Sequence, residues 1–226
     1  MKANLIVAEI DPSRIDVACR AVAHELIPHF KEQPGAGSGY WMVNRSTGEV
    51  LVMTTWGDEE ALGAVRAADR SHRANVAERT GLWIRVIHTM DVLSLEDVGL
   101  TLTPAARWVR AMWVERSDRR DALSEKHAEA VADQQRSPGF CGSCRLSDAA
   151  TGAEFALSFW DGPAELHETR ADNPHHQRGL QHELDFTVSG VGEFESIAVA
   201  APARLDLIRT TTSAPRDGSA PTRTTA

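Results

Sequence analysis

The chain has 226 residues, of which 42% are hydrophobic and 25% charged, and its formal net charge is −8. This length fits one large domain or two of about 100 residues, and an acidic chain without a Lys/Arg run argues against a nucleic-acid partner. No apolar stretch reaches the roughly 20 residues that span a bilayer. The N-terminus differs from a signal peptide, and the cysteines are too few for a disulfide framework, so we expect a cytoplasmic protein without a membrane partner.

The first predicted elements are a strand and a helix. Residues 3–10 alternate between apolar and mixed positions, which is typical of a strand. Asp11 and Pro12 predict a helix start, because a capping side chain precedes a proline whose missing N–H costs nothing there. An apolar stripe at helical spacing follows, made of Ile15, Cys19, Val22, Leu26 and Phe30. The helix is expected to end before Pro34-Gly35.

A hairpin, a second helix and a fourth strand complete the first half of the chain. Strands are predicted at about 38–44 and 49–56, on either side of a turn that ends at Gly48. Asp58 predicts the cap of the second helix. One face of this helix is apolar, with Leu62, Val65 and Val76. The fourth strand is predicted over residues 82–92.

The second half of the sequence predicts the same order of elements. They are a strand at about 106–115, a helix from Ser117 to about 135, a hairpin over 140–160, a helix from about Gly162-Pro163 and a strand near 194–200. Beyond about residue 203 the chain is rich in Thr, Ala, Pro, Arg and Ser. This composition predicts a disordered tail, because it offers almost no large apolar residue that a core could bury.

A shift of the sequence by 104 residues aligns the two halves without a gap. The matches are Pro34-Gly35 with Pro138-Gly139, Thr47-Gly48 with Thr151-Gly152, Trp56 with Trp160, Leu62 with Leu166, Arg66-Ala67 with Arg170-Ala171 and His72 with His176. Each match is weak by itself, but a shared offset indicates an internal repeat. We therefore predict an α+β fold of two tandem ferredoxin-like βαββαβ modules. The modules are placed at 1–94 and 106–202, with a linker at 95–105 and a tail at 203–226.

The repeated residues resemble the pattern of the antibiotic biosynthesis monooxygenase-like family. That pattern has Pro-Gly before the second strand, a Thr-Gly-type hairpin, Trp at the end of the third strand and His on the second helix. In this family two modules place their sheets face to face and form a dimeric α+β barrel. The resemblance implies that the modules of this chain pair as an intrachain dimeric α+β barrel. Such an internal pseudo-dimer could also form a homodimer.

Some members of this family degrade haem with an Asn on strand one and a Trp and a His on helix two. Counted from the Pro-Gly turns, the Asn positions fall near Ala8 and Met112, and the Trp positions fall near Val65 and Thr169. Neither residue type is present at these positions. The resemblance therefore does not extend to haem degradation, and we expect no cofactor.

The candidate site residues carry imidazole or indole groups. His72 lies on the apolar face of its helix and His176 is its equivalent, so either could act as a general base, since imidazole titrates near working pH. The predicted substrate contacts are Trp56, Trp83, Trp160 and His167. The alternative is structural: the tryptophans anchor a core, and the histidines are core residues bonded to the backbone.

Cys141 and Cys144 match a CxxC pattern. Redox pairs of this type open a helix, where the helix dipole lowers the thiol pKa, whereas this pair enters a predicted strand. A zinc site would require a second pair of ligands at suitable spacing. We therefore expect a structural role for these cysteines and no bound metal.

The family resemblance and the inward histidines and tryptophans favour a cofactor-independent monooxygenase that acts on an aromatic phenol, a quinol or a polyketide-like small molecule. In such chemistry the deprotonated substrate supplies electrons to O₂. The protein supplies an apolar pocket, a base and donors for the developing oxyanion. Two alternatives stay open, because a fold does not determine an activity: a polyketide cyclase-like enzyme, and a non-catalytic small-ligand-binding or stress-response module.

Overall fold

The computed structural model describes residues 1–68, 70–97, 108–115, 120–171 and 187–200. The predicted tail, most of the predicted linker and the predicted helix cap at Ser117 lie outside these ranges. No helix within them combines the length and the apolar character needed to cross a membrane.

The described residues form eight strands that close into one antiparallel barrel. The strands are β1 (Lys2–Glu9), β2 (Ala36–Val43), β3 (Glu49–Trp56), β4 (Trp83–Asp97), β5 (Trp108–Val114), β6 (Phe140–Ser147), β7 (Glu154–Trp160) and β8 (Val188–Ala200). Their order around the barrel is β1-β3-β2-β8-β5-β7-β6-β4. Each half of the chain therefore contributes four neighbouring strands, and the halves join at β2–β8 and at β4–β6.

Two strands are longer than the sequence predicts, and each of them pairs with both halves of the chain. The first part of β4 pairs with β1, and residues 91–97 pair with β6. In the same way, residues 188–195 of β8 pair with β5, and the remainder pairs with β2. The predicted end of the fourth strand at 92 is wrong because the residues after it pair with β6 of the other half. The predicted start of the last strand at 194 is wrong because residues 188–193 pair with β5 of the same half. Hydrophobic periodicity within one half carries no information about a partner strand in the other half.

Helices cover the outer face of the barrel. They are α1 (Ile15–Ala21), α2 (Ile27–Lys31), α3 (Glu59–Ala68), α4 (Arg70–Thr80), α5 (Arg120–Gln134) and α6 (Pro163–Ala171). A 3₁₀ turn over Pro12–Arg14 precedes α1, and the side chain of Asp11 caps it by accepting from the Ser13 N–H at 2.8 Å. Asp58 also caps as predicted, by accepting from the Ala61 N–H at 2.8 Å.

A π-helical segment, Val22–Leu26, interrupts the first predicted helix. Pro28 has no N–H and cannot donate to the carbonyl four residues earlier. The N–H of Ile27 donates to the Val22 carbonyl five residues back, which widens the turn just before this proline. The sequence predicts one regular helix here. The structure instead has two short helices joined by a wide turn, and the predicted apolar stripe still packs against the sheet.

The two halves share local geometry at the offset of 104 residues. Gly35 and Gly139 have φ near +75°, and each carbonyl accepts from a backbone N–H just after the third strand of its half, at 3.0 and 2.8 Å. In both hairpins an Asx side chain, Asn44 or Asp148, accepts from the backbone two residues later. The first strands differ, because Lys2 pairs with Trp56 whereas Trp108 pairs with Trp160. Strand β5 therefore lies at an offset of 106 from β1.

Apolar side chains from both halves fill the barrel interior. The buried cluster consists of Ala3, Leu5, Tyr40, Met42, Leu51, Met53, Met90, Val109, Ala111, Cys144, Leu146, Phe155, Leu157, Phe159 and Phe194. Side chains alternate along each strand, so the other set of residues faces the helices. The candidate site of the first half lies on this helix-facing side.

The helix-facing sides of the two half-sheets differ in polarity. In the first half this side carries Trp41, Val43 and Val50, all of which are buried in apolar clusters. At the equivalent positions the second half carries Arg145, Ser147 and Glu154, which are also buried. The repeat therefore preserves the backbone and changes the chemistry of one layer.

Candidate functional site

A cavity of about 90 Å³ lies between the helix-facing side of the first half-sheet and helices α2, α3 and α4. Its apolar walls are formed by Ile6, Leu26, Phe30, Trp41, Val52, Trp56, Val65, Val76, Leu82 and Ile84, and its polar groups belong to Asn4, His29, Gln33, Thr54 and Arg73. An apolar cavity with a few convergent polar groups is the usual form of a small-molecule site.

Three aromatic rings fix one wall of the cavity. The Phe30 ring meets Trp56 edge-on, with ring centres 5.3 Å apart, and meets Trp41 in the same way at 5.7 Å. The indole N–H of Trp56 donates to Thr54 Oγ1 at 3.1 Å, so the orientation of this indole is held by its own strand. Edge-to-face packing of this kind is the favoured arrangement of aromatic pairs. The wall is therefore preformed.

Asn4 supplies a hydrogen-bond donor on the sheet side. Its side chain is almost fully buried, and its Oδ1 accepts from Arg66 Nε at 3.1 Å. Since the oxygen is committed to Arg66, the amide N–H groups are the part of Asn4 that could serve a ligand. Arg73, whose Nη2 donates to the Arg66 carbonyl at 3.5 Å, adds a cation to the opposite wall.

His29 lies on the helix side of the cavity, where its neighbours are Gln33 and His72. The amide nitrogen of Gln33 is 3.3 Å from His29 Nε2 and donates to the His29 carbonyl at 3.1 Å. If the Gln33 amide donates to Nε2, the imidazole is neutral at that nitrogen and can accept a proton. The ring of His72 stacks on His29 with centres 4.3 Å apart. The Nε2 atom of His72 is buried without a hydrogen-bond partner in the described structure.

The size of the cavity limits what it can hold. At about 10–15 Å³ for each water, 90 Å³ corresponds to roughly six to nine waters. This is the number of non-hydrogen atoms in a single substituted aromatic ring. A fused tricyclic ligand would require the helices to move away from the sheet.

The structure brings two of the predicted site residues together in the first half. Trp56 is 3% exposed and lines the cavity. His72 lies behind His29 and contacts the site through the stacked rings. Whether either residue acts on a substrate stays a prediction.

The other predicted residues lie elsewhere. Trp83 is 63% exposed on β4 and lines no part of this cavity. Trp160 is completely buried against Phe140, as expected of a core anchor. His167 lies at the surface on α6, with Nδ1 3.6 Å from Glu193. His176 lies outside the described residues.

Sequence reasoning missed His29, Asn4, Gln33 and Arg73. His29 lies three residues after Leu26 and four before Gln33, which is the spacing of one helical face, and all three residues line the cavity. Asn4 had a usable signal, because it is a polar residue in an apolar strand. The asparagine was sought at Ala8, which the structure places in an apolar cluster, four residues further along β1.

The CxxC residues have no shared site. Cys19, Cys141 and Cys144 are reduced thiols, and Cys144 lies in the barrel interior, 3.8 Å from the sulfur of Met53. Burial raises the pKa of Cys144 to about 12, so this thiol is not a nucleophile at neutral pH. Within the described ranges no group of three or more His, Cys, Asp or Glu side chains could hold a metal ion.

Solved structures share this fold at low sequence identity. A candidate monooxygenase from Fusobacterium nucleatum superposes with a TM-score of 0.64 at 10% identity, over 88% of this chain and 94% of that chain. An anthrone oxidase-like protein gives 0.62 at 13% identity, over 90% and 94% of the two chains. A ferredoxin-fold protein from Listeria monocytogenes, related to antibiotic biosynthesis monooxygenases, gives 0.51 at 12% identity, over 87% and 94%. At such identities the likeness shows the fold alone.

No protein-family model matches the sequence, and no curated protein matches it. The described residues share the ferredoxin-like fold of these solved structures.

Proposed function

We propose that this protein is a cofactor-independent monooxygenase whose site is the first-half cavity and whose substrate is a small aromatic phenol or quinol. We further propose that the chain is a fused pair of ferredoxin-like modules that form the barrel within one polypeptide. The repeated turns and the equivalent strand order support the fusion. The observation that carries the function is the aromatic cavity with His29, Asn4 and Arg73 among its polar groups.

His29 would take the phenolic proton, because its Nε2 can be a neutral acceptor once the substrate hydroxyl replaces the Gln33 amide. The phenolate oxygen that results would be stabilised by the Asn4 amide and the Arg73 guanidinium. Buried donors stabilise such charge strongly, since no solvent has to reorganise around it.

The deprotonated ring would then supply the electrons. One electron passes from the substrate to O₂, and the two radicals combine at a ring-activated C–H carbon to form a hydroperoxide. Loss of water from the hydroperoxide leaves one oxygen atom on the ring as a carbonyl, so a phenol with a free ring C–H and O₂ give a quinone and H₂O. The chain itself would contribute the base, the oxyanion donors and a dry aromatic wall.

The names of the structural neighbours support this proposal only at the level of the fold. About two-thirds of the residues that line the cavity are apolar, and this lining supports an aromatic ligand more directly than the fold does. A non-catalytic ligand-binding module is the second candidate. The small volume of the cavity favours it, because ordinary packing of helices on a sheet can leave a space of similar size without any catalytic role.

Oxygen consumption distinguishes the two candidates. Single-ring hydroquinones and tricyclic anthrones would be supplied to the purified protein, and O₂ uptake would be followed against the autoxidation rate without protein. We expect uptake with the single-ring compounds, and its loss in His29→Phe. The control is His24→Phe, since His24 is exposed on the same helical segment. Equal uptake by the His29 variant, or none by the wild-type protein, contradicts the proposal.

A further inference from the structure

A second and larger space lies at one end of the barrel, between the two halves of the chain. Its volume is about 420 Å³, which is within the range of small-molecule sites, about 300–1,000 Å³. Val7 and Val86 line it from the first half, and Trp113, Gly190 and Gly192 line it from the second. Val7 and Trp113 also pack against the apolar barrel interior, so the space is the open mouth of that interior.

Strand register shows why this mouth is open. Val7 pairs with Val86 and Leu5 with His88 in the first half. At the equivalent positions of the second half, Trp113 pairs with Gly190 and Ala111 with Gly192. The mouth therefore has a large indole on one side and two glycines beside it, whereas the other side has side chains of intermediate size. A symmetric dimer of identical modules could not make this asymmetric arrangement.

The indole of Trp113 is held in place and is accessible. It packs edge-on against Phe155, with ring centres 4.7 Å apart. A Cβ atom at Gly190 would lie 3.6 Å from the indole, an ordinary contact, so a larger side chain there would occupy the mouth next to the ring. The glycines thus leave one part of the indole uncovered. An uncovered, immobilised indole is a surface on which aromatic rings and cations bind.

The charge at the mouth is negative. Arg85 is committed to Glu9, with Nη1 2.6 Å from Oε1. Glu49, which also lines the mouth, has no hydrogen bond or ion pair from its carboxylate among the described residues. Burial, and then the neighbouring Glu9, raise the pKa of Glu49, and the charge of Arg85 opposes this rise only in part. A ligand cation would supply an ion-pair partner for Glu49.

We propose that the barrel mouth is a binding site for a flat aromatic molecule that carries a protonated amine. The aromatic ring lies against Trp113 and the ammonium group lies beside Glu49. This site is separate from the helix–sheet cavity and does not depend on the oxygenase proposal.

Calorimetric titration at pH 7 with three indoles that share a two-carbon linker at ring position 3 tests this site. Tryptamine carries the amine, 3-ethylindole is neutral and indole-3-propionate is anionic. We expect tryptamine to bind with a Kd below about 1 mM, and indole-3-propionate to bind at least tenfold more weakly. Glu49→Gln should weaken tryptamine binding about 3- to 10-fold, the range of a partly exposed ion pair, and should leave 3-ethylindole unchanged.

A glycine variant locates the site. Gly190→Val introduces the residue that the first half has at the equivalent position, Val86, and should abolish the binding of both tryptamine and 3-ethylindole. Val17→Ala removes an exposed apolar side chain on α1, away from the mouth, and should leave both affinities unchanged. Unaltered tryptamine binding by a folded Gly190→Val variant, equal affinity for the three indoles, or no binding of tryptamine up to 1 mM would each overturn the proposal.

Discussion

Arg145 and Glu154 form an ion pair inside the second half of the molecule, with Nη2 2.7 Å and Nε 2.8 Å from the same carboxylate oxygen. Both side chains are at most 6% exposed. The first half has Trp41 and Val50 at the equivalent positions, so the same backbone accommodates either an ion pair or an apolar contact. Buried ion pairs are strongly destabilising when one partner is lost, yet they are often no more stabilising than an apolar pair.

We therefore expect Glu154→Gln to lower the free energy of unfolding by about 3–5 kcal/mol. The double variant Arg145→Met/Glu154→Val should recover most of that loss, because it removes both charges together. Urea denaturation measures each value. Lys126→Gln breaks an exposed pair with Glu129 and should change stability by less than about 1 kcal/mol. Additive losses in the double variant would show that the two charges are not coupled.

His127 on α5 should make stability depend on pH. Burial, and then the charge of Arg145, lower the pKa of His127 to about 4, and its Nε2 is buried without a partner in the described structure. Between about pH 6.5 and 4 the unfolded chain binds a proton at this residue and the native chain does not, so stability falls as the pH falls. From pH 7.5 to 5 this loss amounts to about 2 kcal/mol.

The variant His127→Leu should lose this part of the pH dependence. The measurement is the free energy of unfolding in urea at both pH values, compared between the variant and the wild-type protein. A difference between the two proteins that is the same at pH 7.5 and pH 5 would mean that His127 titrates normally in the native state.

Two substitutions of His72 distinguish between two possible roles of this residue, which stacks on His29. If His72 is a general base, His72→Ala and His72→Phe should both lower turnover by about 10²-fold or more. If it positions His29 through ring contact at 4.3 Å, His72→Phe should retain most of the activity while His72→Ala does not. Initial rates of oxygen uptake decide between them. His176→Ala should have less effect than either variant.

The Pro-Gly turns should tolerate no side chain. Gly35 and Gly139 have φ near +75°, and an added Cβ would lie 2.6 Å from Ala61 Cβ and from Glu165 Cγ, respectively. Each Gly→Ala change should cost at least about 1–2 kcal/mol of stability. Gly63→Ala, on the exposed side of α3 with no atom nearby, should instead stabilise by up to about 1 kcal/mol. Thermal melting checks all three, and a stable Gly35→Ala variant would contradict the argument.

The order of the elements could be predicted from the sequence, because caps, turns and periodicity act over a few residues. Asp11, Asp58 and the two Pro-Gly turns all have the local geometry that their residue types require. The offset of 104 residues predicted where the second set of turns would lie. The duplication itself, which this offset suggests, stays a proposal.

The ends of the strands and the lining of the site could not be predicted in the same way. Residues 92–97 of β4 and 188–193 of β8 pair with strands about 50 or more residues away, and no local pattern carries this information. His29 lies at helical spacing from Leu26, but the apolar stripe did not include it because it is polar. Trp83 is an example of the opposite error. A large aromatic residue in a predicted strand was expected in a pocket, but its register on β4 turns it towards solvent.

Closure of the barrel through β2–β8 and β4–β6 has a consequence for fragments of the chain. Either half alone would present two unpaired strand edges, which is a state that natural sheets avoid because it promotes self-association. A chain cleaved between residues 97 and 108 should therefore remain one particle, held together by main-chain ladders on both sides. Separately expressed halves should find each other by complementation, and the first half alone should associate with copies of itself.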